Sequence, residues 1–305
     1  MCGRYALDVN ADELLAQFDA YNIKVSEPSA RFTPSYNVGP THKAPVYHSN
    51  SLCMMIWGLI PYWTKDLSKA QPYKTFNARL ESLLTSKMWK LPCEYRRCVV
   101  PISGYYEWKR LPSGKKVPYL VRRIDGNVML LAGMYDEVKK EDGSNVLSYT
   151  IVTGPAPDGL NWLHERMPVV LKPNTKEWEL WMNDEKHTWN ADELYKVLET
   201  TFDSKEVYSY RVSTDVGKIT NNEKYLVEPL KEGIASFFKG QKREKEKIID
   251  VPQSTVALKR EEETIIKKEN EITPSVQGST PMKRDVVSLL MSSPKRKNQG
   301  HDNMR

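Results

Sequence analysis

Four runs decide the fold: Cys98-Val-Val-Pro-Ile102, Tyr105-Tyr-Glu-Trp-Lys109, Tyr119-Leu-Val-Arg122 and Val128-Met-Leu-Leu-Ala-Gly-Met-Tyr135. Each is rich in β-branched and aromatic residues, and Gly, Pro, Asn or Asp separates it from the next. The pattern predicts strands joined by tight turns, with Pro112-Ser-Gly-Lys115 as one hairpin tip. Similar runs lie to either side, at Ala44–His48, Leu52–Trp57, Ser148–Thr153 and Val169–Leu171, and Glu141-Asp-Gly-Ser144 reads as a second tip. Helices are expected where a cap precedes an apolar stripe. Asn10 with Glu13 opens one that carries Leu14, Leu15 and Phe18, and Asn190 with Glu193 opens another over Ala191–Glu199. The apolar spacing Leu80, Leu83, Leu84, Met88 predicts a third over Ala78–Trp89. The fold class is therefore α+β, mainly antiparallel sheet curled towards a barrel, with flanking helices.

The chain has 305 residues, and its aromatic residues stop early, the last being Phe238. Beyond it Lys, Glu, Ser, Thr and Pro dominate, a composition that cannot bury enough apolar surface to offset its ordering entropy. Residues 1–238 are expected to form one domain and residues 239–305 a disordered tail. In that tail, Pro294-Lys-Arg-Lys297 suits nuclear import. The apolar island Asp285-Val-Val-Ser-Leu-Leu-Met291 suits folding on a partner, for which a replication-fork protein is expected. Thr273-Pro, Thr280-Pro and Ser293-Pro are candidate phosphorylation sites. No apolar run is long enough to span a membrane and no signal peptide is recognisable, so a nuclear protein, with some cytoplasmic presence, is expected.

The net charge of +6 permits a polyanionic partner without demanding one. The four cysteines, Cys2, Cys53, Cys93 and Cys98, are expected as free thiols. No second cysteine or histidine pair completes a zinc site, so neither metal nor cofactor is expected.

Cys2 is the residue with the most distinctive chemistry. The initiator methionine is normally trimmed before a side chain this small, and removal of Met1 would leave a free amine and a thiol on adjacent carbons. An aldehyde condenses with the amine to an imine, and the thiol then closes a five-membered thiazolidine. Reference values of about 7.7–8.0 for the amine and about 8.5 for the thiol leave both partly nucleophilic near neutrality. Three further segments bring reactive side chains together with it: Phe76-Asn77-Ala-Arg79-Leu-Glu81, Pro101-Ile-Ser-Gly-Tyr105-Tyr-Glu107-Trp108 and His164-Glu-Arg166-Met-Pro168.

These blocks carry a resemblance. Met1-Cys2-Gly3-Arg4-Tyr5, Tyr36-Asn37-Val-Gly-Pro40-Thr41, Met55-Ile-Trp57-Gly58-Leu59-Ile-Pro61, Asn77-Ala-Arg79, Arg97-Cys-Val-Val-Pro101, Gly104-Tyr-Tyr-Glu107-Trp108 and His164-Glu-Arg166-Met-Pro168-Val-Val170 resemble, in order, the SOS-response-associated peptidase (SRAP) family. The resemblance implies a DNA-damage protein that shields abasic sites in single-stranded DNA through a lyase-type covalent crosslink to the mature N-terminal cysteine. It implies catalytic roles for Cys2 as nucleophile, Glu107 as general acid/base, His164 in proton transfer and adduct reversal, and Asn77 in positioning. Arg4, Arg79 and Arg166 suit phosphates, and Pro40 and Trp63 suit wedging or stacking against bases. A monomer binding single-stranded DNA is expected, with no membrane partner. Two other readings stay open, a cysteine peptidase using Cys2 with His164 as base, and a non-covalent reader of modified cytosine. The run Gly154-Pro-Ala-Pro-Asp-Gly-Leu-Asn-Trp-Leu163 departs from the family pattern. Tyr105, Tyr106 and the tryptophans other than Trp63 are expected in the core, and His42, His48 and His187 are expected to be structural.

Overall fold

The computed structural model describes residues 2–26 and 31–230. Its strands are β1 (Tyr5–Leu7), β2 (Ser35–Val38), β3 (Lys43–His48), β4 (Ser51–Trp57), β5 (Asn77–Arg79), β6 (Arg97–Ile102), β7 (Gly104–Arg110), β8 (Lys116–Arg123), β9 (Met129–Lys139), β10 (Asn145–Pro155), β11 (Arg166–Pro168), β12 (Val170–Leu171) and β13 (Val207–Arg211). Strands β4, β3, β6, β9 and β10 pair in that order, and β10 returns to β4. This closes a five-stranded barrel in which only the β10–β4 pair is parallel. Closure leaves no free edge along the ring. A second sheet runs β13-β8-β7-β1-β2. The α+β barrel expected from the sequence is the observed architecture.

The barrel strands bury apolar residues on both faces, inside the ring and against the elements packed around it. Val46, Leu52, Met55, Trp57, Val99, Val100, Leu131, Ala132, Met134, Tyr149 and Ile151 are all buried. Each large side chain of this kind contributes about 1.5–3 kcal/mol by leaving water. Both anticipated tips are turns, with Gly114 at φ +78° between β7 and β8 and Gly143 at φ +80° between β9 and β10. Helix α1 (Ala11–Ala20) begins with both bonds of a capping box, Glu13 N–H to Asn10 Oδ1 at 2.9 Å and Asn10 N–H to Glu13 Oε2 at 2.8 Å. The expected helix over Ala191–Glu199 is present over Ala191–Val197.

The helix expected over Ala78–Trp89 is absent. Asn77–Arg79 pair in parallel with Ile151–Thr153, on the edge of β10 that β4 leaves open beyond Tyr149. A ready-made strand edge outbids helical propensity for these three residues. Leu80 and Leu83 then reach the core from a 3₁₀ turn over Leu80–Ser82, and α2 forms only at Lys90–Tyr95. The domain boundary at 238 and the tail motifs lie outside the described residues. No helix among the described residues is long and apolar enough to cross a membrane.

Candidate functional site

The site forms where β10 changes partners. Along one edge it passes from β4 to β5, and along the other from β9 to β11, at Thr153 to Pro155. This switch delivers Asn77 and Arg79 on one side and Arg166 on the other. The second sheet closes the site from above. Strand β1 pairs with β7 through Tyr5↔Tyr105, so residues 2–4 run on towards Glu107, with Tyr106 N–H bonded to Arg4 O at 2.9 Å.

Cys2 is fully buried. Asn77 Nδ2 donates to its main-chain oxygen at 2.7 Å, while Asn77 Oδ1 is buried with no hydrogen-bond partner among the described residues. The thiol faces Arg4 O at 3.9 Å. Beneath lies an aromatic floor. Tyr5 and Tyr149 share a 2.6 Å hydroxyl–hydroxyl hydrogen bond, and Trp57 packs on Tyr5 at 4.9 Å and on Tyr149 at 6.3 Å. Burial pushes the Cys2 thiol well up, and the neighbouring Glu107 carboxylate pushes the same way. This environment works against the partly ionised thiol expected from reference values. Desolvation penalises the thiolate, and in its place stands a thiol that needs a base to take its proton.

Glu107, only 5% exposed, accepts from Trp108 N–H at 3.3 Å. It lines a narrow crevice together with Tyr105, Leu160, His164, Arg166 and Met167. His164 Nδ1 accepts the Arg166 main-chain N–H at 3.0 Å, which in the neutral ring assigns the proton to Nε2. A buried carboxyl and an imidazole thus line one small crevice, and the same carboxyl lies near enough to the Cys2 thiol to act on it electrostatically, an arrangement suited to moving protons during addition to a carbonyl.

The three arginines differ in their commitments. Arg4 donates to Asn37 Oδ1 at 2.9 Å and to Val216 O at 2.8 Å. Arg166 holds both oxygens of Glu81, at 2.8 and 2.9 Å, and Thr153 O at 2.6 Å. Arg79 is exposed beside Glu81. Arg79 is thus open to solvent, whereas the guanidinium of Arg166 is committed to Glu81. Pro40 and Trp63 lie on loops at one end of the β3–β4 hairpin, linked by Thr41 N–H to Trp57 O at 2.7 Å. Trp63 is 41% exposed and meets Tyr62 edge-on at 5.0 Å.

Tyr105 and Tyr106 are core residues, as are Trp57 and Trp181. Trp162 is not, being 38% exposed because it caps the one-turn helix α3 (Asp158–Asn161) at the surface. The Tyr5–Tyr149 pair escaped the sequence reading, since only strand pairing brings residues 144 apart together. Among the histidines left as structural, His48 packs on Tyr135 at 4.5 Å, His187 stacks on Tyr95 at 4.6 Å, and His42 Nδ1 faces Gly39 N–H at 3.5 Å. No cluster of His, Cys, Asp or Glu among the described residues could hold a metal ion.

Comparison with known proteins bears on this site. The model of the family described as "SOS response associated peptidase (SRAP)" matches residues 1–219. The chain is 41% identical over 274 residues to an abasic site processing protein of Saccharomyces cerevisiae, covering 82% of this chain and 73% of that one. It is 34% identical over 233 residues to abasic site processing protein YoqW of Bacillus subtilis, covering 75% and 99%. It is 29% identical over 276 residues to abasic site processing protein HMCES of Gallus gallus, covering 77% and 79%. A crystal structure of a protein from Bacteroides thetaiotaomicron superposes with a TM-score of 0.63 at 23% identity, covering 75% of this chain and 99% of that one. This last likeness concerns the fold alone.

Proposed function

This chain belongs to the SOS response associated peptidase (SRAP) family, and on that premise we propose that it captures abasic sites in single-stranded DNA as a covalent thiazolidine on Cys2. One observation carries the reading: Cys2 is buried beside Glu107 with its carbonyl held by Asn77. Relatives in yeast, bacteria and birds bear the name abasic site processing protein, in keeping with it.

The chemistry follows from the site. An abasic sugar opens to an aldehyde at C1′. With Met1 removed, the Cys2 amine adds to that carbon, and the resulting carbinolamine loses water to give an imine. Glu107 supplies the proton that lets hydroxide leave as water. The Cys2 sulfur then adds to the imine carbon. Its proton passes to Glu107 and onward to the nitrogen, closing the ring with one water lost overall. Because burial holds the thiol protonated, amine addition comes first and sulfur addition needs the carboxylate. Asn77 Oδ1, a buried acceptor without a partner, suits an N–H of the freed amine, while its Nδ2 already fixes the adjoining carbonyl. In reversal the C–S bond breaks to restore the imine, water adds to C1′ and the amine is expelled; His164, with its proton on Nε2, suits protonating the departing sulfur or nitrogen.

Incubating the mature protein with an oligonucleotide bearing one abasic site tests this. A denaturing gel should show a stable adduct, absent with Cys2→Ala and absent when an extra residue precedes Cys2. An undiminished adduct in both would refute the mechanism.

A further inference from the structure

A cluster of aromatic and basic side chains adjoins the crevice without belonging to it. Lys109 Nζ lies 4.9 Å from the centroid of the Trp162 ring, and Tyr119 meets that ring edge-on at 5.3 Å. Strand register ties all three to the reacting groups. Lys109 follows Glu107 by two residues on β7 and so shares its face. Tyr119 on β8 is the cross-strand partner of Glu107. Trp162 precedes His164 by two residues. Past Lys109, the same hairpin carries exposed Arg110, Lys115 and Lys116, with no acidic residue between Glu107 and Asp125.

An indole left 38% exposed near a reactive crevice, with a lysine ammonium against its ring, has the chemistry of a stacking surface with a phosphate contact. We propose that Trp162 stacks on a nucleobase flanking the abasic site, and that Lys109, held against the same ring, binds an adjoining phosphate. The proposal rests on the crevice being the abasic-DNA site.

The test uses the full-length mature protein and a fluorescent single strand carrying a tetrahydrofuran residue, an abasic analogue without an aldehyde. Affinity is read by anisotropy across a salt series. Trp162→Ala should weaken binding about ten-fold, and Trp162→Phe should recover most of it, since base–aromatic stacking tolerates the ring type. Lys109→Gln should lower the salt slope by about 0.7, the contribution of one phosphate contact on a single strand. An unchanged affinity in Trp162→Ala overturns the proposal, as does a Trp162→Phe variant as weak as the alanine, or a wild type that does not bind the strand. A parallel assay with a true abasic strand separates the two readings. Weakened tetrahydrofuran binding in Trp162→Ala with no wild-type adduct sinks covalent capture but keeps the platform. A wild-type adduct with full binding by Trp162→Ala does the reverse.

Discussion

Asn77 Nδ2 donates to the main-chain oxygen of Cys2 at 2.7 Å, joining the edge of the closed barrel to the segment that leads into β1 of the second sheet. This bond fixes the carbonyl of the residue that must react without itself engaging the thiol or the nitrogen. Asn77→Ala should slow adduct formation at saturating DNA by about 10²-fold, the order expected for misplacing a reacting group. The stability cost should be small, about 0.5–1.5 kcal/mol, because one hydrogen bond is lost. Single-turnover gel kinetics and a urea melt measure the two separately.

Tyr5 and Tyr149 satisfy each other beneath Cys2, both fully buried. Tyr149→Phe strands the Tyr5 hydroxyl and should cost about 1–3 kcal/mol. Adding Tyr5→Phe removes the stranded group, so the double variant should be more stable than the single one. Equal or additive losses in denaturant melts would show that the pair is not coupled.

Arg166 grips both oxygens of Glu81 and holds that carboxyl below the usual range. A carboxylate whose folded value is depressed stabilises the fold above its unfolded value, about 4.3, and loses that contribution as pH falls through the folded value. Glu81→Gln should therefore flatten the fall in Tm between about pH 5 and pH 3. Near neutrality it should cost no more than about 1 kcal/mol, since Glu81 is partly exposed. The same change releases Arg166, and binding of a tetrahydrofuran strand should tighten.

His164 is oriented by the Arg166 main-chain N–H. His164→Ala should still form the adduct, but release of the DNA strand from purified adduct should slow by about 10²–10⁴-fold, the usual contribution of a positioned acid or base. Release at the wild-type rate in the presence of a trapping amine would remove His164 from the reversal step.

The strands of the barrel were legible because their runs combine β-type residues with Gly and Pro punctuation, and the two caps because Asn10 and Asn190 each stand three residues before a glutamate. Asn77 misled the reading. Its surroundings have helical spacing, and only the open edge of β10, seventy residues later, makes it a strand. The candidate site was named from four separate blocks, but their convergence depends on β10 exchanging partners, which no local pattern encodes. Nor does composition reveal that Arg166 is engaged by Glu81, that burial keeps the Cys2 thiol protonated, or that Trp162 faces solvent.

Intact mass measurement of the purified protein, before and after exposure to a strand with one abasic site, tests covalent capture most directly. The protein should lack Met1 and should gain the mass of the strand less one water, with no gain for Cys2→Ser. A chain that keeps Met1 yet gains the strand, or a mature chain that gains nothing, would contradict capture through the Cys2 amine and thiol.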